Sequence, residues 1–178
     1  MSEAMGLKGR RSLDVGCACG SLTQAFNDAG VPMSGIDLSE HMIGLGKAKW
    51  PHLELWVGDA RTLPVVGNTI DFIHCAQVAE HFDPRHVTTI FREWRRVLTD
   101  YGRVFLCMDT TELYERQHRD PATEDPTHTC LKPFGWWEQM AMANGFRVGD
   151  RWNAMSLVRH PESFLREYDW DWMILVKE

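Results

Sequence analysis

The stretch LDVGCACGSLTQAF, Leu13–Phe26, sets Asp14 ahead of a loop of tiny residues that runs into a helix-like pattern. Gly16, Ala18 and Gly20 would let the backbone approach a ligand closely. Alone, this is also what an ordinary tight turn looks like, and the spacing is not GxGxxG. Asp37, in SGIDLSEHM, follows Asp14 by twenty-three positions. That is close to the separation of ~20 residues at which a second acidic side chain binds a ribose diol. The same charge repels a 2′-phosphate and so argues against NADP. The competing role for Asp37 is to cap a helix beginning near Ser39. Asp59, in VGDARTLP, could accept a hydrogen bond from an adenine amine, or merely mark a turn. Together the three carboxylates describe an adenosine site.

The segments LDVGCACG, GIDLSEHM, WVGDARTLP, IDFIHCAQVAEHF and WRRVLTDYGRVFLCMD occur in that order. They resemble the successive motifs of class I S-adenosylmethionine-dependent methyltransferases, from about Ser12 to Asp109. Two features depart from the pattern. Ala18 replaces the usual middle glycine, and Cys17 and Cys19 sit in the loop. The resemblance implies S-adenosylmethionine as cofactor. It implies Asp14, Gly16, Ala18 and Gly20 around the methionine part, Asp37 on the ribose, and Leu38 against the adenine. Asp59 and Ala60 would read the adenine edge, with Cys75 and Gln77 along the cofactor. The implied fold is α/β: a Rossmann-like, doubly wound, seven-stranded sheet in the order 3-2-1-4-5-7-6. It is mostly parallel, with the last strand antiparallel.

Methyl transfer needs a nucleophile held in line with the methyl carbon and water kept away. A hydroxyl acceptor further needs a base or a metal. Glu80 and His81, in QVAEHFDP, and His128, in DPTHTCLKPFGWW, are the catalytic candidates. Histidine titrates near working pH and is the commonest general base. A local contact with the following helix is the other reading of His81. The QxxEH stretch is similar to the ExxEH metal motif of small-RNA 2′-O-methyltransferases, which also use a later histidine. A minority reading therefore has Gln77, Glu80, His81 and His128 ligating a divalent metal, although Gln77 is a weaker ligand than glutamate. Phe134, Trp136 and Trp137 could wall a substrate or simply pack a helix. Trp152, Trp170 and Trp172 read as core or edge packing, with Trp170 the first candidate for an exception.

Alternating elements must position these residues. Strand patterns fall at Ser12–Val15, Met33–Ile36, Leu53–Val57, Ile70–Ala76 and, after a turn at Tyr101-Gly102, Arg103–Met108. Leu22, Ala25, Phe26 and Ala29 recur at helical spacing, and Gly30 stops that helix. Ser39 is the expected N-cap of a helix through Lys49. Asp83-Pro84 opens a third helix with Val87, Ile90, Phe91, Trp94, Val97 and Leu98 as its apolar stripe. Helices alternating with strands imply a parallel sheet. Residues 109–132 are polar and aperiodic, so a lid or acceptor-site insertion is expected there. Trp136–Asn144 reads as a helix, and Phe146–Val148 and Trp172–Val176 as final strands. Residues 1–178 read as a single domain.

The formal net charge is −6. An acidic chain lacks the positive field that drives non-specific nucleic-acid binding, which excludes DNA and disfavours RNA. Arg92, Arg95 and Arg96 read as a solvated helix face. The five cysteines are scattered and include no CxxC pair, which fits neither a disulfide framework nor a zinc finger. There is no apolar run of membrane-spanning length and no secretory pattern at the start, so a cytoplasmic location is expected. Only about ten residues precede the first strand, so either the cofactor site is open, or residues 109–132 supply a lid, or the second subunit of a homodimer does. The function expected is methyl transfer to an amine or hydroxyl of a small molecule, such as a sugar or natural-product intermediate. Alternatives are a metal-assisted small-RNA 2′-O-methyltransferase and a cofactor-binding module without activity. An NAD-dependent oxidoreductase ranks low for want of a phosphate loop.

Overall fold

Near-continuous apolarity makes Ser12–Val15 (β1) and Ile70–Ala76 (β4) central strands, covered on both faces. The computed structural model, which describes residues 6, 7, 9–149 and 171–178, pairs them in parallel, Leu13 opposite Ile73. Met33–Asp37 (β2) and Leu55–Val57 (β3) extend the sheet on one side. Leu98–Met108 (β5), Asp171–Lys177 (β7) and Phe146–Val148 (β6) extend it on the other. The order is β3-β2-β1-β4-β5-β7-β6. β7 runs antiparallel to both β5 and β6. This is the order and direction that the family resemblance implies.

The helices follow their stripes. Ser21–Asp28 (α1) buries Thr23 and Phe26, and Glu40–Lys49 (α2) begins at Ser39, whose hydroxyl accepts the Met42 N–H at 3.3 Å. Val87–Val97 (α3) buries five of the six expected apolar residues, with Trp94 wholly enclosed. Phe134–Ala143 (α5) packs with α3 on one face of the sheet, burying Phe134 and Trp137 beside Leu106 and Met173. Phe134 and Trp137 therefore belong to the core, and Trp136, half-buried, crosses Trp137 edge to face.

Several boundaries differ from expectation. β3 starts at Leu55, because a turn closed by Leu53 N–H to Trp50 C=O occupies the preceding residues. Leu98 is only the C-cap of α3, already extended, and opens β5 opposite Ile70. The turn expected at Tyr101-Gly102 is instead a bulge inside β5, since the next paired residue, Arg103, lies opposite Phe72. Finally, the insertion contains a short helix, Thr111–Arg116 (α4), capped by the Thr110 hydroxyl. Trp172 stacks on Phe105 at the sheet face, while Trp152 and Trp170 lie outside the described residues.

Candidate functional site

Open parallel sheets bind ligands beyond the carboxyl ends of their strands, at the point where strand order reverses. Here that point lies between β1 and β4. A cavity of about 410 Å³ opens there, lined by the chain leaving β1, β2, β3 and β4. Gly16, Asp37, Leu38, Asp59, Ala60 and His81, all candidates from the sequence, line it. A second cavity of about 420 Å³ lies by the opposite strand ends, near Ser12, Met33 and Ile70.

The loop after β1 has a geometry that few side chains tolerate. Gly16 has φ +79°, and a Cβ there would fall 2.2 Å from Val78 Cγ2. Ala18 also takes a positive φ and donates its N–H to Asp37 Oδ2 at 2.8 Å. Asp37 Oδ1 accepts the Ser39 N–H, also at 2.8 Å. Each carboxylate oxygen keeps a further lone pair for a cavity ligand. Cys17 packs its sulfur over Gly35 and is a buried small hydrophobe; burial pushes its thiol up to about 12.

Three loop-region candidates lie outside the cavity lining. Asp14 is buried and braces three elements: it accepts the Thr23 hydroxyl of α1 at 2.8 Å and faces His74 Nδ1 of β4 at 2.9 Å. Neither Ala18 nor Gly20 lines the cavity; Gly20, with φ +77°, is the N-cap of α1. Cys75 is fully enclosed beneath the cavity, and burial raises its thiol well above the usual value. Gln77 has φ +56° and points its amide at Cys107 Sγ, 3.8 Å away.

Asp59 grips its neighbour Arg61, whose Nε and backbone N–H each lie 2.8 Å from a carboxylate oxygen. The Arg61 side chain holds this carboxyl below its ordinary value. Leu38 is 74% exposed at the lip, an apolar surface that a planar base would cover. Sequence reasoning missed Val78, Phe82, Asp83 and His86, which also line the cavity. Their only signal was position directly after β4.

The acceptor-side candidates converge although Gln77 stays apart. Glu80 and His81 lie in a single 3-10 turn after β4, and Cys130 N–H donates to the Glu80 carbonyl at 2.8 Å. The Thr129 hydroxyl reaches the His81 and Phe82 carbonyls. Residues 109–132 therefore fold onto this turn and contribute nothing to the lining of the main cavity. The result places donor atoms of Glu80, His81 and His128 within 4.8 Å of one another. Both carboxylate oxygens of Glu80 are buried and lack a well-formed hydrogen bond. Burial drives that carboxyl up to about 8.

Hydrogen bonds fix the rings. The Thr127 hydroxyl has one proton and gives it to Asp125 Oδ1 at 2.6 Å, so its oxygen must accept from His81 Nδ1–H, 2.8 Å away. That leaves a lone pair on His81 Nε2. His128 Nδ1 meets the Tyr114 hydroxyl at 2.8 Å. Arg119 lies over the Tyr114 ring and is tied to Asp109 at 2.8 Å and Glu124 at 2.6 Å. Burial, then the neighbouring His81, lower the His128 pKa and favour the neutral ring.

The sequence matches the family described as methyltransferase domain over residues 13–102. It is 35% identical over 114 residues to the demethylmenaquinone methyltransferase of Staphylococcus aureus, an alignment covering 59% of this chain and 45% of that protein. The chain thus spans about half the length of the curated relatives it matches. Among solved structures, the PH0226 protein of Pyrococcus horikoshii superposes with a TM-score of 0.77 at 20% identity, covering 99% of this chain and 84% of that one. A TehB-like SAM-dependent methyltransferase of Corynebacterium glutamicum superposes at 0.70 with 18% identity, covering 99% and 84%. At these identities the likeness shows the fold.

Proposed function

Because this chain belongs to the methyltransferase-domain family, with S-adenosylmethionine as methyl donor, we propose that it methylates an amine or hydroxyl of a small-molecule acceptor. The observation that carries this reading is the meeting of the cavity with the histidine cluster at His81. The residues present suit the cofactor. Asp37 offers two acceptor oxygens to a diol, Gly16 leaves room where any Cβ would clash with Val78, and Leu38 offers an apolar face. Asp59 and Ala60 complete the far wall.

When bound, S-adenosylmethionine supplies an electrophilic methyl carbon on a positively charged sulfur. The chain must hold the acceptor in line and take its proton away. His81 lines the cavity and has a free Nε2 lone pair, so it is the group placed to receive that proton. His128 and Glu80 stand behind it, away from the cavity lining. The name of the Staphylococcus relative makes a demethylated quinol a first candidate in an acceptor screen.

The test is a calorimetric titration with S-adenosylmethionine and S-adenosylhomocysteine, followed by a screen of small amines, hydroxyls and quinols for methyl transfer. Saturable cofactor binding and a methylated product are expected. Absence of cofactor binding would overturn the reading. Binding without transfer to any acceptor would favour an inactive module, and a mobility shift with small RNA would favour the 2′-O-methyltransferase alternative.

A further inference from the structure

We propose that Glu80, His81 and His128 form a binding site for one divalent transition-metal cation at the rim of the cofactor cavity. Two independent observations point to a ligand there. The first is geometric: three donor atoms from two distant segments lie within 4.8 Å of one another, the one such group among the described residues. The second is the unpartnered carboxylate. Glu80 is wholly buried, and its oxygens lack a well-formed hydrogen bond; only its own N–H and that of Asp109 interact with the carboxyl. Buried polar groups in folded proteins are nearly always paired, and leaving a carboxylate unpaired costs more than leaving a neutral group. A cation facing both imidazoles would satisfy it.

The surrounding contacts hold the rings as ligands. Metal-bound histidines usually donate their second nitrogen to an oxygen, which fixes the tautomer. His81 does so through Nδ1 to Thr127, itself anchored on Asp125. His128 Nδ1 lies 2.8 Å from the Tyr114 hydroxyl, and with Nδ1 donating to that oxygen the Nε2 lone pair is left for the cation. Tetrahedral sites with bonds of ~2.0–2.1 Å set donors roughly 3.4 Å apart, so the group must close by about 1.4 Å at most. His81 is exposed, so its ring has room to make that movement.

Two imidazoles and one carboxylate suit Zn²⁺, Co²⁺, Fe²⁺ or Mn²⁺ better than Mg²⁺ or Ca²⁺, which prefer all-oxygen shells. Three protein ligands leave coordination positions open, the mark of sites that bind a substrate. Since His81 also lines the cavity, an acceptor hydroxyl is the group that would fill one. With His81 Nε2 on the cation, that ring no longer takes the acceptor's proton; the metal would instead lower the hydroxyl's proton affinity, and the proton would leave to solvent before the oxygen lone pair forms the bond to carbon and the sulfur keeps the C–S pair. This use of the site rests on the methyl-transfer reading; the binding of the cation does not. It selects a hydroxyl over an amine as acceptor, since a neutral amine needs no such help.

The test uses the 178-residue chain stripped with EDTA and titrated with Co²⁺, read by visible d–d absorption, and with Zn²⁺ by calorimetry. One equivalent is expected to bind. Partners one shell out typically cost ~10–100-fold when lost, so Glu80→Gln and His128→Ala should each weaken binding by about 100-fold or more. Cofactor affinity, whose cavity neither residue lines, should hold in both and shows that the variants are folded. If Glu80→Gln does not fold, His128→Ala and the exposed His81→Ala decide. No saturable Co²⁺ binding, or binding that survives the substitutions, overturns the site. Cation binding without methyl transfer upholds the site and sinks the functional reading. Methyl transfer indifferent to EDTA, in protein silent to Co²⁺, does the reverse.

Discussion

His81 and His128 stand edge to face, with ring centroids 4.6 Å apart, although one follows β4 and the other lies in the insertion after β5. The contact exists because the insertion hydrogen-bonds to the turn that carries His81. If these rings act on the acceptor's proton, turnover must depend on both. General acid–base groups contribute typically ~10²–10⁴-fold, and His81→Ala is expected to lose turnover in that range; His128→Ala, one ring behind it, should lose less and keep cofactor affinity. Unchanged turnover in both His81→Ala and His128→Ala would retire the role.

Asp37 should dominate cofactor binding. Its oxygens already organise the loop through Ala18 and Ser39 N–H groups, so truncation removes the ligand contact and loosens the loop. Hydrogen bonds to charged groups are worth ~1.5–3 kcal/mol, about 10–100-fold in Kd. Asp37→Ala is expected to raise the Kd for S-adenosylmethionine by at least that factor in calorimetry. Asn should recover part of it by keeping the carbonyl acceptor.

Gly16→Ala tests the close approach at the cavity floor. Its new Cβ would overlap Val78 Cγ2, and φ +79° is strained for any L residue. Reduced melting temperature and weaker cofactor binding are expected. Adding Val78→Ala removes the two methyl overlaps, keeps a tight 3.1 Å contact with the Val78 Cβ, and leaves the backbone strain. The double variant should therefore recover part of the loss; no recovery would mean that the strain and the remaining contact account for it.

Most of the frame was legible because it rests on short-range patterns. β1, β4 and β6 fall where the apolar runs predicted, and Ser39 caps α2 as a serine at that position should. What escaped was set by contacts distant in sequence. The Asp14 carboxylate looked like part of the ligand loop, yet His74, sixty residues on, turns it into a brace. Leu98 has helical spacing, but pairing with Ile70 claims it for β5. The insertion is aperiodic because its order comes from bonds to the Glu80–Phe82 turn, which no local pattern encodes.

Glu93 gives a pH-dependent prediction away from the site. Its carboxylate accepts Arg96 Nη2 and the Leu63 N–H, each at 2.7 Å, while Arg96 also reaches the Val65 carbonyl. These bonds pin the 63–65 segment to α3. The Arg96 side chain holds the Glu93 pKa below its ordinary 4.5. A depressed carboxyl stabilises the fold above its unfolded pKa, and that contribution is lost as pH falls through the folded value. Glu93→Gln should cost about 1–3 kcal/mol in urea unfolding at pH 7. The gap to wild type should close as the pH drops below 4.5. A constant gap across that range would refute the assignment.

Thr127 is a positioning residue, and its removal separates orientation from chemistry. Its hydroxyl gives its one proton to Asp125, so it can only accept from His81 Nδ1–H. Thr127→Val keeps the shape of the side chain and deletes that acceptor. The His81 ring is then free to move its proton to Nε2, which removes the lone pair that either a proton or a cation needs. Partners of this kind typically contribute ~10–100-fold. The expected outcome is a drop in kcat of about that size with the KM for S-adenosylmethionine unchanged, and a shifted pH–rate profile. Thr127→Ser restores the hydroxyl and should restore both. A loop merely loosened by valine would lower thermal stability and leave the pH profile in place, so that result would assign Thr127 to packing alone.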